Sequence, residues 1–273
     1  MGDLIYLYGL IPTKEVASHQ SFPSFKGFDG VENLYTISRN QVTAVVCNLD
    51  RNDYSEQVIK EKVNNDMEWL QEKAFHHHET LTALYKTFTI IPLKFCTIYE
   101  NEENLRETIH GNEEKLESSL TLLHGSEEWN VKIYCDDNDL RKQVDVNNST
   151  IQAKKQEISG LPRGRQFFEK KKIDQLIETE LEKEKNRVCE NVHEKLKEHS
   201  LHAAIKKNWS KDVTGLKENM TWNSVFLLPV PQVEHFLEEI KNFEKELEGT
   251  GWRFEATGPW PAYHFSSFSK VRN

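Results

Sequence analysis

Hydrophobic and polar positions change period several times along the chain, and each change marks an element. Leu4-Ile5-Tyr6-Leu7-Tyr8-Gly9-Leu10 is a continuous apolar run closed by Pro12, the pattern of a strand buried on both faces. Residues 34–37 and 42–47, joined by Ser38-Arg39-Asn40-Gln41, predict a hairpin. Asp53 with Glu56 three residues on reads as a capping box. It opens a helix whose Ile59, Val63, Met67, Leu70, Ala74, Leu81, Tyr85 and Phe88 recur near every 3.6 residues. Residues 88–99 are apolar and β-branched and predict a strand, in which Pro92 demands a bulge or an edge. Leu105, Ile109, Leu116, Leu120 and Leu123 then share a helical face ended by Gly125.

A second series follows. Trp129, Val131, Ile133 and Cys135 alternate with polar neighbours and predict a strand. Residues 140–166 are weakly periodic and polar. From Phe167 to about Lys207 a charged helix is carried by Ile173, Ile177, Leu181, Val188, Val192 and Leu196. Such a helix spans on the order of 60 Å, more than one small sheet covers, so part of it is expected to project as a helical hairpin or coiled-coil arm. Val213-Thr214-Gly215-Leu216 and residues 224–228 supply two more strands. Val233, Phe236, Leu237, Ile240, Phe243 and Leu247 give the most regular amphipathic helix in the chain, with Pro231 at its start. Trp252, Phe254 and Ala256 alternate as a last strand, which Thr257-Gly258-Pro259 is expected to end.

The order strand, helices, strand, strand, helix, strand is the βαββαβ arrangement of a ferredoxin-like fold with an enlarged first crossover. The expected class is therefore α+β, in two domains. An N-terminal α+β domain occupies 1–125, a modified ferredoxin-like domain with a long projecting helix 126–258, and an aromatic C-terminal tail 259–273. That tail carries Trp260, Tyr263, Phe265 and Phe268, and such apolar area is expected to dock on the body of the chain. A second apolar group, Phe22, Phe25 and Phe28, lies in a loop with Pro23, Gly27 and Gly30.

Charge narrows the partners. A formal charge of −9 over 273 residues argues against duplex nucleic acid or an anionic membrane as the main partner. No apolar run approaches a membrane span and the first residues do not read as a signal peptide, so a cytoplasmic protein is expected. Cys47, Cys96, Cys135 and Cys189 have neither zinc nor redox-pair spacing and read as buried free thiols. His76-His77-His78-Glu79 invites a metal reading, but consecutive helical residues point about 100° apart and the i, i+4 pair is missing. One of them, His78 foremost, is expected to pack or hydrogen-bond instead. Asp136-Asp137-Asn138-Asp139 lacks the calcium-loop spacing and reads as an N-cap and solvated turn. The glycines of Ser159-Gly160-Leu161-Pro162-Arg163-Gly164-Arg165 lack the Lys-Ser/Thr of a phosphate loop.

Several segments carry a resemblance. Tyr6-Leu7-Tyr8-Gly9-Leu10, Ile91-Pro92-Leu93-Lys94-Phe95, Gly125-Ser126-Glu127-Glu128-Trp129-Asn130-Val131-Lys132 and Thr257-Gly258-Pro259-Trp260-Pro261-Ala262-Tyr263-His264-Phe265 resemble the GvpF/GvpL family of gas vesicle proteins, in order and spacing over nearly the whole chain, and look closer to the GvpL branch. Cys96 departs from the pattern where the family usually has Gly, and Ala262 where it often has Pro. The resemblance implies an α+β first domain, a modified ferredoxin-like second domain, and an accessory role in building gas-filled protein shells in the cytoplasm. It implies no enzyme and no cofactor. The implied partners are the shell protein of the GvpA type and other gas vesicle accessory proteins.

Three functions are weighed. An assembly factor covers the strand edges and apolar patches of the shell subunit before it assembles. Its candidate protein-contact or tail-docking residues are Phe22, Phe25, Phe28, Trp260, Tyr263 and Phe265. A minor structural component would instead stay in the finished vesicle. An enzyme on a ferredoxin-like scaffold needs convergent titratable groups, and the sequence offers no catalytic, metal or cofactor-binding set.

Overall fold

This computed structural model describes residues 3–19 and 22–266, so that Phe268 of the expected tail lies outside them. The chain divides into two compact units, Met1–Glu128 with Pro259–Asn273, and Trp129–Gly258. The first contains β1 (Leu4–Pro12), α1 (Thr13–Ser18), β2 (Tyr35–Arg39), β3 (Val42–Leu49), α2 (Arg51–Tyr54), α3 (Glu56–Asn65), α4 (Met67–Tyr85), β4 (Ile91–Pro92), β5 (Ile98–Tyr99), α5 (Glu102–His110) and α6 (Glu113–Leu123). The second is built from β6 (Ser126–Cys135), α7 (Asp137–Asn147), α8 (Ser149–Ser159), α9 (Arg163–Lys197), β7 (His202–Ile205), α10 (Lys211–Thr214), β8 (Asn219–Pro229), α11 (Val233–Glu246) and β9 (Trp252–Trp260).

The first sheet has the order β2-β3-β1-β4, with β5 also paired to β1. All nine residues of β1 are buried, as its unbroken apolar run requires. The antiparallel register between β1 and β3 shifts between Leu7 and Gly9, so Tyr8 is an extra residue in β1. That bulge resets the alternation. Leu4, Tyr6 and Tyr8 face one core, and beyond the bulge it is Ile11 that joins them, together with Trp69, Leu81 and Leu84 of α4. Gly9 sits where the strands close up; a Cβ there would lie 2.6 Å from Cδ1 of Ile90 and 3.0 Å from the carbonyl of Ile91. Helices α5 and α6 contact the same sheet and bury Leu105, Ile109, Leu116 and Leu120.

The single helix expected from Asp53 onward is three. Asp50, not Asp53, caps α2 by accepting from the Asn52 amide at 2.7 Å, and Ser55 opens α3 with no side-chain cap. Asp66 breaks the run and caps α4 through the Trp69 amide at 2.9 Å. Met67, placed in the stripe by periodicity, is thereby 65% exposed. The strand expected over 88–99 is reduced to β4 and β5, separated by a loop in which Cys96 adopts φ 60°, the left-handed region that favours glycine.

In the second unit the sheet order is β7-β8-β6-β9, the spatial order of a βαββαβ ferredoxin-like sheet. The second strand is His202–Ile205, paired antiparallel to β8, whereas Val213-Thr214-Gly215-Leu216 is no strand. It closes a short helical turn in which Gly215 takes φ 67°. Strand β9 runs through Pro259 to Trp260 rather than ending at Gly258, which an edge strand permits. Val188, Cys189, Val192 and Leu196 of α9 join Phe236, Ile240 and Phe243 of α11 over Val131, Ile133, Phe226, Leu228 and Phe254.

Helix α9 ends at Lys197, about 52 Å from its start, because the chain beyond it is drawn into pairing with β8. It packs with neighbouring helices, as the hairpin alternative expects, rather than standing alone. The segment expected to be irregular forms α7 and α8, which pack along α9 and bury Leu140, Val144 and Ile151 against Ile177 and Leu181. Lys185, 8% exposed, ties α9 to the start of α7 by pairing with Asp137 at 2.7 Å and with Glu182 at 2.8 Å.

Candidate functional site: the aromatic and histidine face of one helix

The three consecutive histidines on α4 do three different things. His77 is 5% exposed and lies between β1 and the loop before β5. Its Nε2 is 3.1 Å from the carbonyl of Leu93, which only accepts, so Nε2 carries the proton. Nδ1 is then an acceptor for the Tyr6 hydroxyl at 2.8 Å, and the Tyr6 oxygen accepts the Cys96 amide at 3.3 Å. A relay runs from Cys96 through Tyr6 and His77 to Leu93. Burial pulls the His77 imidazole down to about 4, against its backbone hydrogen bond, so the ring is neutral at pH 7. Burial also raises the Tyr6 phenol, which stays protonated as the relay requires.

His76 contacts the Tyr8 hydroxyl at 3.0 Å, and burial, then the nearby Lys73 charge, lowers its proton affinity. His78 faces the C-terminal tail. Its Nδ1 is 3.1 Å from the Tyr263 hydroxyl, and its ring lies 5.7 Å from Trp260 and 6.1 Å from Tyr263 between centroids. The tail is fixed further by the His264 amide, which donates to Glu128 at 2.8 Å. His78 thus packs and hydrogen-bonds as expected, and His77 does so as well, inside the core.

Beside this face an open cleft of about 610 Å³ is lined by Phe25, Phe75, His76, His78, Thr82 and Ala83, with Lys26, Lys86 and Glu79 among its polar groups. The six expected contact residues divide around it. Phe28 is fully buried, stacked on Tyr6 at 4.2 Å and 19°, and belongs to the core. Phe22 is half-buried and stacks on Phe88 at 5.8 Å. Phe25 is half-buried and lines the cleft. Trp260 and Phe265 are half-buried, and Tyr263 is 41% exposed. His78 connects the two groups, since it lines the cleft with Phe25 and touches Trp260 and Tyr263. Sequence reasoning missed Phe75, which is 61% exposed in the cleft. Its signal was position: it follows Ala74 of the stripe expected from periodicity and so points about 100° away from it, although apolar.

Among the described residues no group of three or more His, Cys, Asp or Glu side chains is placed to hold a metal ion, and no helix is long and apolar enough to cross a membrane. Burial pushes the thiols of Cys47, Cys96 and Cys135 up to about 12 and that of Cys189 to about 11, which leaves them protonated and poor nucleophiles at neutral pH.

Fold and site together define a two-unit α+β protein with an open cleft beside α4 in which Phe25 and Phe75 lie among polar side chains. The family described as gas vesicle synthesis protein GvpL/GvpF matches residues 4–267, and the chain belongs to that family. It is 20% identical to gas vesicle protein L of Streptomyces sp. (strain CB03234) over 88% of this chain and 86% of that one. It is 26% identical to gas vesicle protein F1 of Halobacterium salinarum over 49% of this chain and 55% of that one. The crystal structure of the gas vesicle protein GvpF from Anabaena sp. PCC7120 superposes with a TM-score of 0.71 at 19% identity, covering 99% of this chain and 100% of that one. That likeness establishes the shared fold.

Proposed function

We propose that this protein is an accessory factor of gas vesicle formation that binds the apolar shell subunit, of the GvpA type, while the vesicle is being built, alongside other accessory proteins in the cytoplasm. The observation that carries the reading is the cleft beside α4, where Phe75 is 61% exposed next to half-buried Phe25 on a helix anchored by the His77 relay. A subunit destined for a continuous shell presents apolar patches and unpaired strand edges before assembly, and both drive aggregation. A preformed cleft that sets the Phe25 and Phe75 rings among polar groups offers such a patch an apolar contact and releases it when shell contacts replace it. The protein acts in this reading by binding and not by catalysis.

Co-purification of shell protein with the wild type, with Phe25→Ser/Phe75→Ser and with Trp260→Ala/Tyr263→Ala tests it. Binding is expected to fall at least tenfold in the first variant, and to fall in the second to the extent that the tail shapes the cleft wall. Undiminished binding by a folded Phe25→Ser/Phe75→Ser protein excludes the cleft.

A further inference from the structure

The start of α9 differs from the rest of that helix in two independent ways. Phe167 and Phe168 are 76% and 72% exposed, the highest values among the described large hydrophobic residues. The cations around them are also unlike those further along. Lys183, Lys185, Arg187, Lys195 and Lys197 each pair with a carboxylate within 3.3 Å. At the tip Lys172 is paired with Glu169 at 2.6 Å, whereas Arg163, Arg165 and Lys171 are exposed with no carboxylate partner among the described residues. The first turn of α9 is joined to the loop before it, where Gln166 donates to the Leu161 carbonyl at 2.8 Å. The net charge does not oppose an anionic partner here. Residues 129–258 hold 22 Lys and Arg against 23 Asp and Glu, so nearly all of the chain's charge of −9 lies outside this unit.

A helix that docks into a protein groove presents apolar anchors at i, i+3, i+4 and i+7. Phe167 and Phe168 are followed at i+3 and i+4 by Lys170, Lys171 and Lys172 and at i+7 by Asp174 and Gln175, and the next apolar residues, Ile173, Leu176 and Ile177, pack against α7 and α8. Two adjacent aromatics about 100° apart, ringed by unpaired cations on flexible stems, suit a surface that yields to a blunt tip and carries laterally mobile negative charge. A lipid headgroup layer is such a surface: aromatic rings enter its interface while Lys and Arg stems reach the phosphates.

We propose that the tip of α9 is a peripheral docking site for anionic lipid bilayers, with Phe167 and Phe168 inserting and Arg163, Arg165 and Lys171 meeting the headgroup phosphates. The site is separate from the cleft and stands or falls independently of the assembly reading. The test is sedimentation of the full chain with vesicles of phosphatidylcholine containing about one third phosphatidylglycerol, against vesicles of phosphatidylcholine alone, at salt from about 50 to 500 mM. The wild type is expected to sediment with the anionic vesicles at low salt and to be released as salt rises. Phe167→Ser/Phe168→Ser and Arg163→Glu/Arg165→Glu, both changing exposed side chains and both checked for native circular dichroism, are each expected to reduce the bound fraction about tenfold or more. Absence of wild-type binding at low salt overturns the proposal, as does binding that neither variant changes. Capture of a soluble Leu/Glu amphipathic peptide through the same residues, without vesicle binding, also overturns it and assigns the tip to an acidic protein surface.

Discussion

The buried His77 gives the first unit a titratable weak point whose size follows from its environment. In the unfolded chain the imidazole titrates near 6.5, whereas burial holds it at about 4 in the fold. Above about pH 6.5 both states are neutral and the relay contributes in full. As pH falls the unfolded state takes up the proton first, so stability is lost between roughly 6.5 and 4. The ceiling of that loss is about 3 kcal/mol, of which about 2 kcal/mol has gone by pH 5. His76, whose proton affinity is lowered in the same direction, adds to the trend in wild type and variant alike. The perturbation is His77→Gln, which retains one donor and one acceptor but does not titrate. The assay is native-state hydrogen exchange of β1 amides, which reports opening of this unit, at pH 7.5 and pH 5 after correction for intrinsic exchange. The variant is expected to be less stable at pH 7.5, since the relay geometry is disturbed, yet to lose about 2 kcal/mol less than wild type on going to pH 5. Equal losses in the two proteins would show that the ring takes up its proton as readily in the fold as in the unfolded chain, and would refute the reading that burial keeps it neutral.

Other expectations are more local. Gly9→Ala places a methyl against Ile90 and the Ile91 carbonyl and is expected to destabilise by about 2 kcal/mol, measured by urea unfolding. At Cys96 the usual order of glycine and alanine reverses: Cys96→Gly is expected to be more stable than Cys96→Ala by about 1 kcal/mol, because both lose the thiol and only alanine keeps the strain of φ 60°. Burial alone would lower the Lys185 ammonium, but its carboxylate partners win and raise it; Asp137→Ala should therefore cost about 2 kcal/mol, and Lys185→Met less, in thermal melts of the two variants. A transient assembly factor is expected to leave isolated vesicles in a mild urea wash, and persistence there would mark a built-in shell component.

Much of the fold was legible because its signals are local. The continuous apolar run of β1, the alternation of β6 and the amphipathic period of α11 each name their element without reference to the rest of the chain. The errors arise where distant partners decide. His202-Ala203-Ala204-Ile205 has little strand character of its own and becomes β7 only by pairing with β8, while the β-branched Val213-Thr214 turns helically above a left-handed Gly215. Periodicity also runs through Asp66 without a break, although its side chain caps α4 and its backbone amide closes α3 on the Lys62 carbonyl. At the site, aromatic composition pointed to Phe22, Phe25, Phe28 and the tail, but burial separates them: Phe28 completes the core, and Phe75 takes the exposed place beside Phe25. The His77 relay was hidden because its partners, Tyr6, Leu93 and Cys96, come from three separate stretches of chain.

The cleft's role is tested most directly in a vesicle-forming host from which the gene has been deleted, scored for buoyancy. Loss of floating cells is predicted, with recovery on return of the wild type and no recovery on return of Phe25→Ser/Phe75→Ser accumulated to the same level. Normal flotation without the gene, or full rescue by the cleft variant, would contradict the account.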